Sequence, residues 1–171
     1  MSETFINKVA ESGIVTIDLE QFFPKQEIEL FDIKDYLFMG LILKEKDFRQ
    51  ALKELDKEKY AGKYVAVTCT TDAIIPMWAY MLVVSTLKQG SAGVMMGDKE
   101  TVEKKIWLQN INNIPTEDYT AKRVVIKGCG EKQIPEEAYL NITGKLLPVV
   151  QSIMYGEPCS TVPVYKKPKE N

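Results

Sequence analysis

The sequence predicts an α/β fold: a single domain over residues 1–165, with a mainly parallel sheet of about five strands and helices on its faces. Three observations predict it. The chain has 171 residues, 45% hydrophobic and 27% charged, which suits one globular domain with its own core. Short β-branched runs alternate with helical stretches, and strand–helix repetition implies parallel strands joined by right-handed crossovers. No Pro/Gly/Ser linker, low-complexity run or internal repeat is apparent along the chain.

Residues 3–12 read as a short helix with Phe5, Ile6 and Val9 on one side, stopped by Ser12-Gly13. Ile14 to Ile17 is β-rich and reads as a strand, and the alternation over Glu27–Phe31 reads as a second, half-exposed one. The apolar run Leu37–Leu43, broken by Gly40, is read as a buried strand. Phe48, Ala51, Leu52 and Leu55 form a helical stripe that Gly62 closes. Tyr64–Thr68 is the next strand, and Pro76 starts a helix that runs to Leu87. Val94–Met96 is a strand, and Asp98 caps a helix that reaches about Asn112. Arg123–Ile126 is a strand, and Pro135-Glu136-Glu137 opens the last helix. Its stripe of Tyr139, Ile142, Leu146, Val149, Val150 and Ile153 continues past Pro148, which predicts a kink there rather than an end. The basic stretch 166–171 reads as a flexible tail.

The helix at 76–87 is apolar on every side, with Met77, Trp78, Tyr80 and Met81 among its residues. Such a helix is buried all round or lies in an interface, and a central core helix is the favoured reading over a dimer contact.

Composition excludes several function classes. With 22 Lys+Arg against 24 Asp+Glu, the net charge of −2 offers no field for nucleic acid or an anionic membrane. The absence of histidine removes Ser–His and Cys–His catalysis and imidazole metal ligands. The acidic start lacks signal-peptide character, and the longest apolar stretch, Ile74–Val84 around Pro76, is too short to span a bilayer. A cytoplasmic protein with reduced thiols is expected.

Ligands of parallel sheets bind at the carboxyl ends of strands. Here those ends read as Cys69-Thr70-Thr71-Asp72, Gly97-Asp98 and Gly128-Cys129-Gly130. Cys69 and Cys129 each precede a helix, whose amino terminus favours thiolate. The loop residues Thr70, Thr71, Gly128 and Gly130 are candidates to hold an anion with backbone amides. The third thiol, Cys159, lies in Tyr155-Gly156-Glu157-Pro158-Cys159-Ser160-Thr161-Val162-Pro163, read as a rigid extended loop. Three readings compete for the cysteines. They are small buried hydrophobes, or ligands of a zinc, iron or iron–sulfur site completed by Asp72 or Glu157, or a reactive thiol with a resolving partner. A helix as long as 135–154 would carry the chain away from the carboxyl edge, so Cys69 and Cys129 are expected as a pair, which Cys159 joins only if Pro148 turns the chain back or another subunit supplies it. Asp72 and Asp98 are most simply helix caps, and Asp32 and Asp35 beside Lys34 read as a solvated face. Neither GxxxxGK[ST] nor GxGxxG occurs.

The strings GIVTIDLEQF, FDIKDYLFMGLILKEKDFR, KYVAVTCTTDAIIPMWAYML, RVVIKGC and SIMYGEPCSTVPVYKKP cover nearly the whole chain and resemble a bacterial domain-of-unknown-function family. The resemblance implies no established activity. It implies genes that lie near those of sulfur mobilisation for iron–sulfur assembly, and so tilts the cysteines toward sulfur, iron or another metal. The order of helix, strand, polar loop and helix is also similar to anti-sigma-factor antagonist domains, in architecture alone. The leading expectation is an accessory factor of iron–sulfur or metal homeostasis, not a stand-alone enzyme, with iron–sulfur assembly proteins as partners. The alternatives are a homodimerising or partner-docking module that uses the 77–84 helix and the GEPCSTVP loop at 156–163, and a thiol redox protein.

Overall fold

A computed structural model describes residues 13–127, 130–157 and 160–168. The helix expected at 3–12 lies outside them, as do Gly128, Cys129, Pro158 and Cys159. The α/β class with mainly parallel pairing is what the structure shows. In place of one sheet of about five strands, the described residues form seven strands in two sheets. The chain folds as two compact units, Met1–Phe23 with Ile106–Asn171, and Pro24–Lys105.

The strands are β1 (Ile14–Asp18), β2 (Ile28–Asp32), β3 (Tyr64–Thr68), β4 (Gly93–Met96), β5 (Arg123–Lys127), β6 (Ser152–Glu157) and β7 (Ser160–Lys166). The helices are α1 (Glu45–Glu54), α2 (Met77–Leu87), α3 (Lys99–Asn112) and α4 (Glu136–Leu146). In the unit Pro24–Lys105, β2, β3 and β4 are parallel neighbours in that order. Val65 and Val67 of β3 pack with Phe31, with Phe48 and Leu52 of α1, and with Ala79, Val83 and Leu87 of α2. In the other unit, β1, β5 and β6 are parallel and β7 closes the edge antiparallel to β6. Its core joins Ile17 and Leu19 to Trp107, Ile111, Val124, Ile126, Ile142, Leu146 and Ile153.

The two units repeat one pattern, contrary to the expectation of no repeat. From β3 to β5, from α2 to α4 and from β4 to β6 the offset is a constant 59 residues (Tyr64 to Arg123, Met77 to Glu136, Gly93 to Ser152). Register follows: Ile28 pairs with Tyr64 as Ile14 pairs with Arg123, and Tyr64 pairs with Gly93 as Arg123 pairs with Ser152. Turn hydrogen bonds recur too, such as Lys63 N to Tyr60 O and Lys122 N to Tyr119 O. Gly62 and Ala121 share a left-handed backbone at φ 69° and 57°. Buried positions coincide, Phe48 with Trp107, Leu52 with Ile111, Ala79 with Ala138 and Leu87 with Leu146. Along the chain, the second copy lies between the first strand of the other and the rest of it.

Three further expectations are corrected. The run Leu37–Leu43 is not a buried strand. Met39 (φ 53°) and Gly40 (φ 71°) turn the chain back on itself so that Phe38 bridges Ile42, and Phe38, Met39, Leu41 and Ile42 are exposed. The last helix does not kink at Pro148. It ends at Leu146, two residues before a proline that cannot continue the hydrogen-bond ladder; Val149 and Val150 lie in the connection that follows, and Ile153 belongs to β6. The described residues of 155–163 are not a loop: they belong to the paired strands β6 and β7. At the carboxyl end, Lys166 still belongs to β7, and Lys167 N donates to Gln151 O.

Candidate functional site

The carboxyl edge of β2 and β3 carries the one buried charged side chain among the described residues, Asp32. It ends β2, opposite Thr68 of β3. Its Oδ1 accepts from Lys34 N at 3.1 Å, capping the 3₁₀ turn Ile33–Tyr36, and from Thr70 N at 3.1 Å. Its Oδ2 accepts from Thr70 Oγ1 at 2.5 Å and lies 3.3 Å from Lys34 Nζ. Burial by itself would raise the pKa of this carboxyl. The bonds from the Thr70 hydroxyl, the Lys34 and Thr70 amides and the Lys34 side chain outweigh it and hold the group below its ordinary range. The expectation of a solvated face at Asp32 is therefore wrong: pairing with a threonine 38 residues away takes it out of water.

That contact also answers the expectation that Thr70 and Thr71 hold an anion. Thr70 already holds one, the carboxylate of Asp32. Nor do these residues precede a helix directly, because α2 begins only at Met77 behind Pro76. Cys69 is thus not at a helix amino terminus. It is half-buried and free, and its Sγ donates to Thr71 O at 3.6 Å. Asp72 is exposed and does not cap α2, whereas Asp98 caps α3 as expected, accepting from Thr101 N at 2.8 Å.

The other unit arranges carboxylates of its own at the carboxyl ends of β1 and β5. Asp18 ends β1, accepts from Glu20 N at 3.0 Å and lies 3.2 Å from Lys127 Nζ. Glu20 accepts from Lys132 N and lies so close to Gly130 that a Cβ there would meet its carboxylate. Gly130 therefore makes room for an internal carboxylate. β5 and β6 run parallel and end at one edge, at Lys127 and Glu157. The objection that a long last helix separates the thiols loses its basis, although Gly128, Cys129 and Cys159 lie outside the described residues. Among the described residues, no three His, Cys, Asp or Glu side chains are grouped to hold a metal ion.

The exposed face of α2 is the second candidate. Ala79, Val83 and Leu87 point into the core, and Trp78 and Tyr80 are half-buried. Met77, Met81 and Val84 are 67%, 70% and 41% exposed, and Ile74, just before the helix, is 95% exposed. The favoured expectation of a helix buried all round is wrong, because only one side of α2 has a sheet to cover. At the equivalent positions of the other unit stand Gln133, Glu136, Leu140 and Thr143. Three of those four are polar, so the fold does not require an apolar face here.

Beside this face a groove of about 450 Å³ runs between α1 and α2. Arg49, Lys53 and Lys57 line one wall, Leu52 and Leu82 lie at its base, and no carboxylate lines it. The sequence reading missed this groove, because its three cations come from separate turns and match no motif.

A family model described as "Protein of unknown function (DUF2480)" matches residues 3–167. No curated protein and no solved structure matches the chain. No helix among the described residues is long and apolar enough to cross a membrane.

Proposed function

Because the chain belongs to the DUF2480 family of proteins of unknown function, which brings no activity with it, we propose a function from the surface itself: a non-catalytic module that docks a protein partner through α2. The observation that carries this reading is the contrast between Ile74, Met77, Met81 and Val84, all exposed, and the mostly polar residues at the same positions of the repeat. Clustered exposed side chains of this size mark interaction sites more often than scattered ones do, and methionines adapt to a partner's shape. The test is a photo-crosslinking residue at position 81, compared with one at position 140 of the repeat, in cells of the source organism. Adducts to a defined protein, or to a second copy, from position 81 alone are expected. Equal adducts from both positions, or none from position 81, would overturn the reading.

A second reading keeps the thiols in view: an accessory factor of iron–sulfur or metal homeostasis. It is supported by Cys69, free and half-buried just past the carboxyl end of β3. Metal and sulfide content of protein purified without oxygen should fall in Cys69→Ser. Equal content in the variant and the parent counts against a role for this thiol.

A further inference from the structure

We infer that the partner presents an acidic amphipathic helix, seated in the groove between α1 and α2 with its apolar side against Met81. The inference rests on the docking reading above and names the chemistry of the occupant. Arg49 and Lys53 stand one turn apart on α1, and Lys57 follows in the next turn of chain. Helical partners place side chains at this same one-turn spacing, so carboxylates four residues apart on a docked helix meet successive cations. Arg49 already pairs with Glu45 at 2.9 Å, but neither Lys53 nor Lys57 pairs with a carboxylate among the described residues. Their charge is uncompensated within the groove, and complementarity calls for a negative partner.

The apolar part of the site is continuous with the charged part. Ser85 lines the groove and also belongs to the exposed side of α2, one turn from Met81. Leu52 is buried at the base and Leu82 half-buried, so an apolar side chain entering there leaves water for a hydrophobic surface. A partner with acids alone would leave Met77 and Met81 uncovered. One with apolar residues alone would bury lysines without counter-charge, which is costly. The repeat supports the assignment, because Arg49, Lys53 and Lys57 correspond to Leu108, Asn112 and Thr116. Cations are thus not required at these positions of the fold.

The experiment uses the full chain and fluorescent synthetic peptides at about 0.15 M salt. One peptide is a helix with leucines on one side and glutamates on the other; its controls carry lysine for glutamate, or glutamate throughout. The Leu/Glu peptide is expected to bind, and both controls to bind at least about tenfold more weakly. Lys53→Glu/Lys57→Glu and Met81→Gln should each weaken binding by about tenfold or more, whereas Asn112→Glu/Thr116→Glu in the repeat should not. Circular dichroism shows that each variant is folded. Binding of the all-glutamate peptide as tight as that of the Leu/Glu peptide would overturn the inference in favour of a plain anion site. So would failure of every peptide to bind. A stable dimer in light scattering that Met81→Gln dissolves and Lys53→Glu/Lys57→Glu leaves intact would make a second copy the occupant. In each of these cases, selective crosslinking from position 81 would still uphold the docking reading, so the two failures are distinguishable.

Discussion

Asp32 organises the carboxyl edge of its sheet by joining three pieces of chain: the end of β2, the 3₁₀ turn after it and the loop after β3. A buried carboxylate is costly unless its oxygens are bonded, and here both accept hydrogen bonds. Thr70→Val removes one of these donors and leaves the charge in place, so it should destabilise the protein by about 1–3 kcal/mol near neutral pH. The sign with pH follows from the depressed pKa of Asp32. Its contribution is full above the unfolded value of about 3.9 and is lost as pH falls through the lower folded value. Chemical denaturation of Thr70→Val and the parent between pH 7 and pH 2 should therefore show a gap at neutral pH that narrows in acid. A gap that widened below pH 4 would contradict the role assigned to this carboxylate. Asp18 in the other unit caps its turn in the same manner, but with Lys127 rather than a threonine as its cross-strand partner.

At the scale of elements, the sequence made visible what depends on local pattern. Strand β3, helix α2 behind Pro76 and the Asp98 cap of α3 lie within a residue or two of where periodicity and capping put them. The misreadings arose where one pattern fits two structures. Val149, Val150 and Ile153 continue a helical stripe, yet Ile153 is buried as a strand residue of β6. Pro148 was the signal that could have decided this, since a missing N–H ends a helix more often than it kinks one. Leu37–Leu43 is as apolar as a core strand, but Met39 and Gly40 adopt a left-handed backbone and the segment turns at the surface. The exposed side of α2 was hidden for a related reason. An apolar helix has no polar face to reveal which side meets water, and only the packing of Ala79, Val83 and Leu87 settles it. Asp32 was missed because its partner, Thr70, is distant in sequence.

At the scale of the whole molecule, the repeat was hidden because conservation within it serves backbone and packing rather than any motif. Over residues 60–97 and their counterparts, the identities include Tyr60 with Tyr119, Val65 with Val124, Pro76 with Pro135, Ala79 with Ala138, Leu87 with Leu146 and Gly97 with Gly156. These are turn, core and capping positions. Gly97 and Gly156, for instance, share a positive φ that side chains rarely adopt, at 137° and 121°. The surface residues between them have diverged, which is why α2 shows methionines where α4 shows Glu136 and Leu140. Two copies with separate core clusters make a prediction about stability. Leu87 and Leu146 hold the same position, and each is almost fully buried in its own cluster. Replacing either with alanine should cost about 2–5 kcal/mol, from lost transfer energy and the cavity left behind. The location of the damage should differ. Native-state hydrogen exchange should quicken chiefly in β2, β3 and β4 for Leu87→Ala, and chiefly in β1, β5 and β6 for Leu146→Ala, because sub-global opening follows cooperative units. Uniform acceleration across both sheets in both variants would mean that the two clusters open as one, and that the repeat does not divide the molecule energetically.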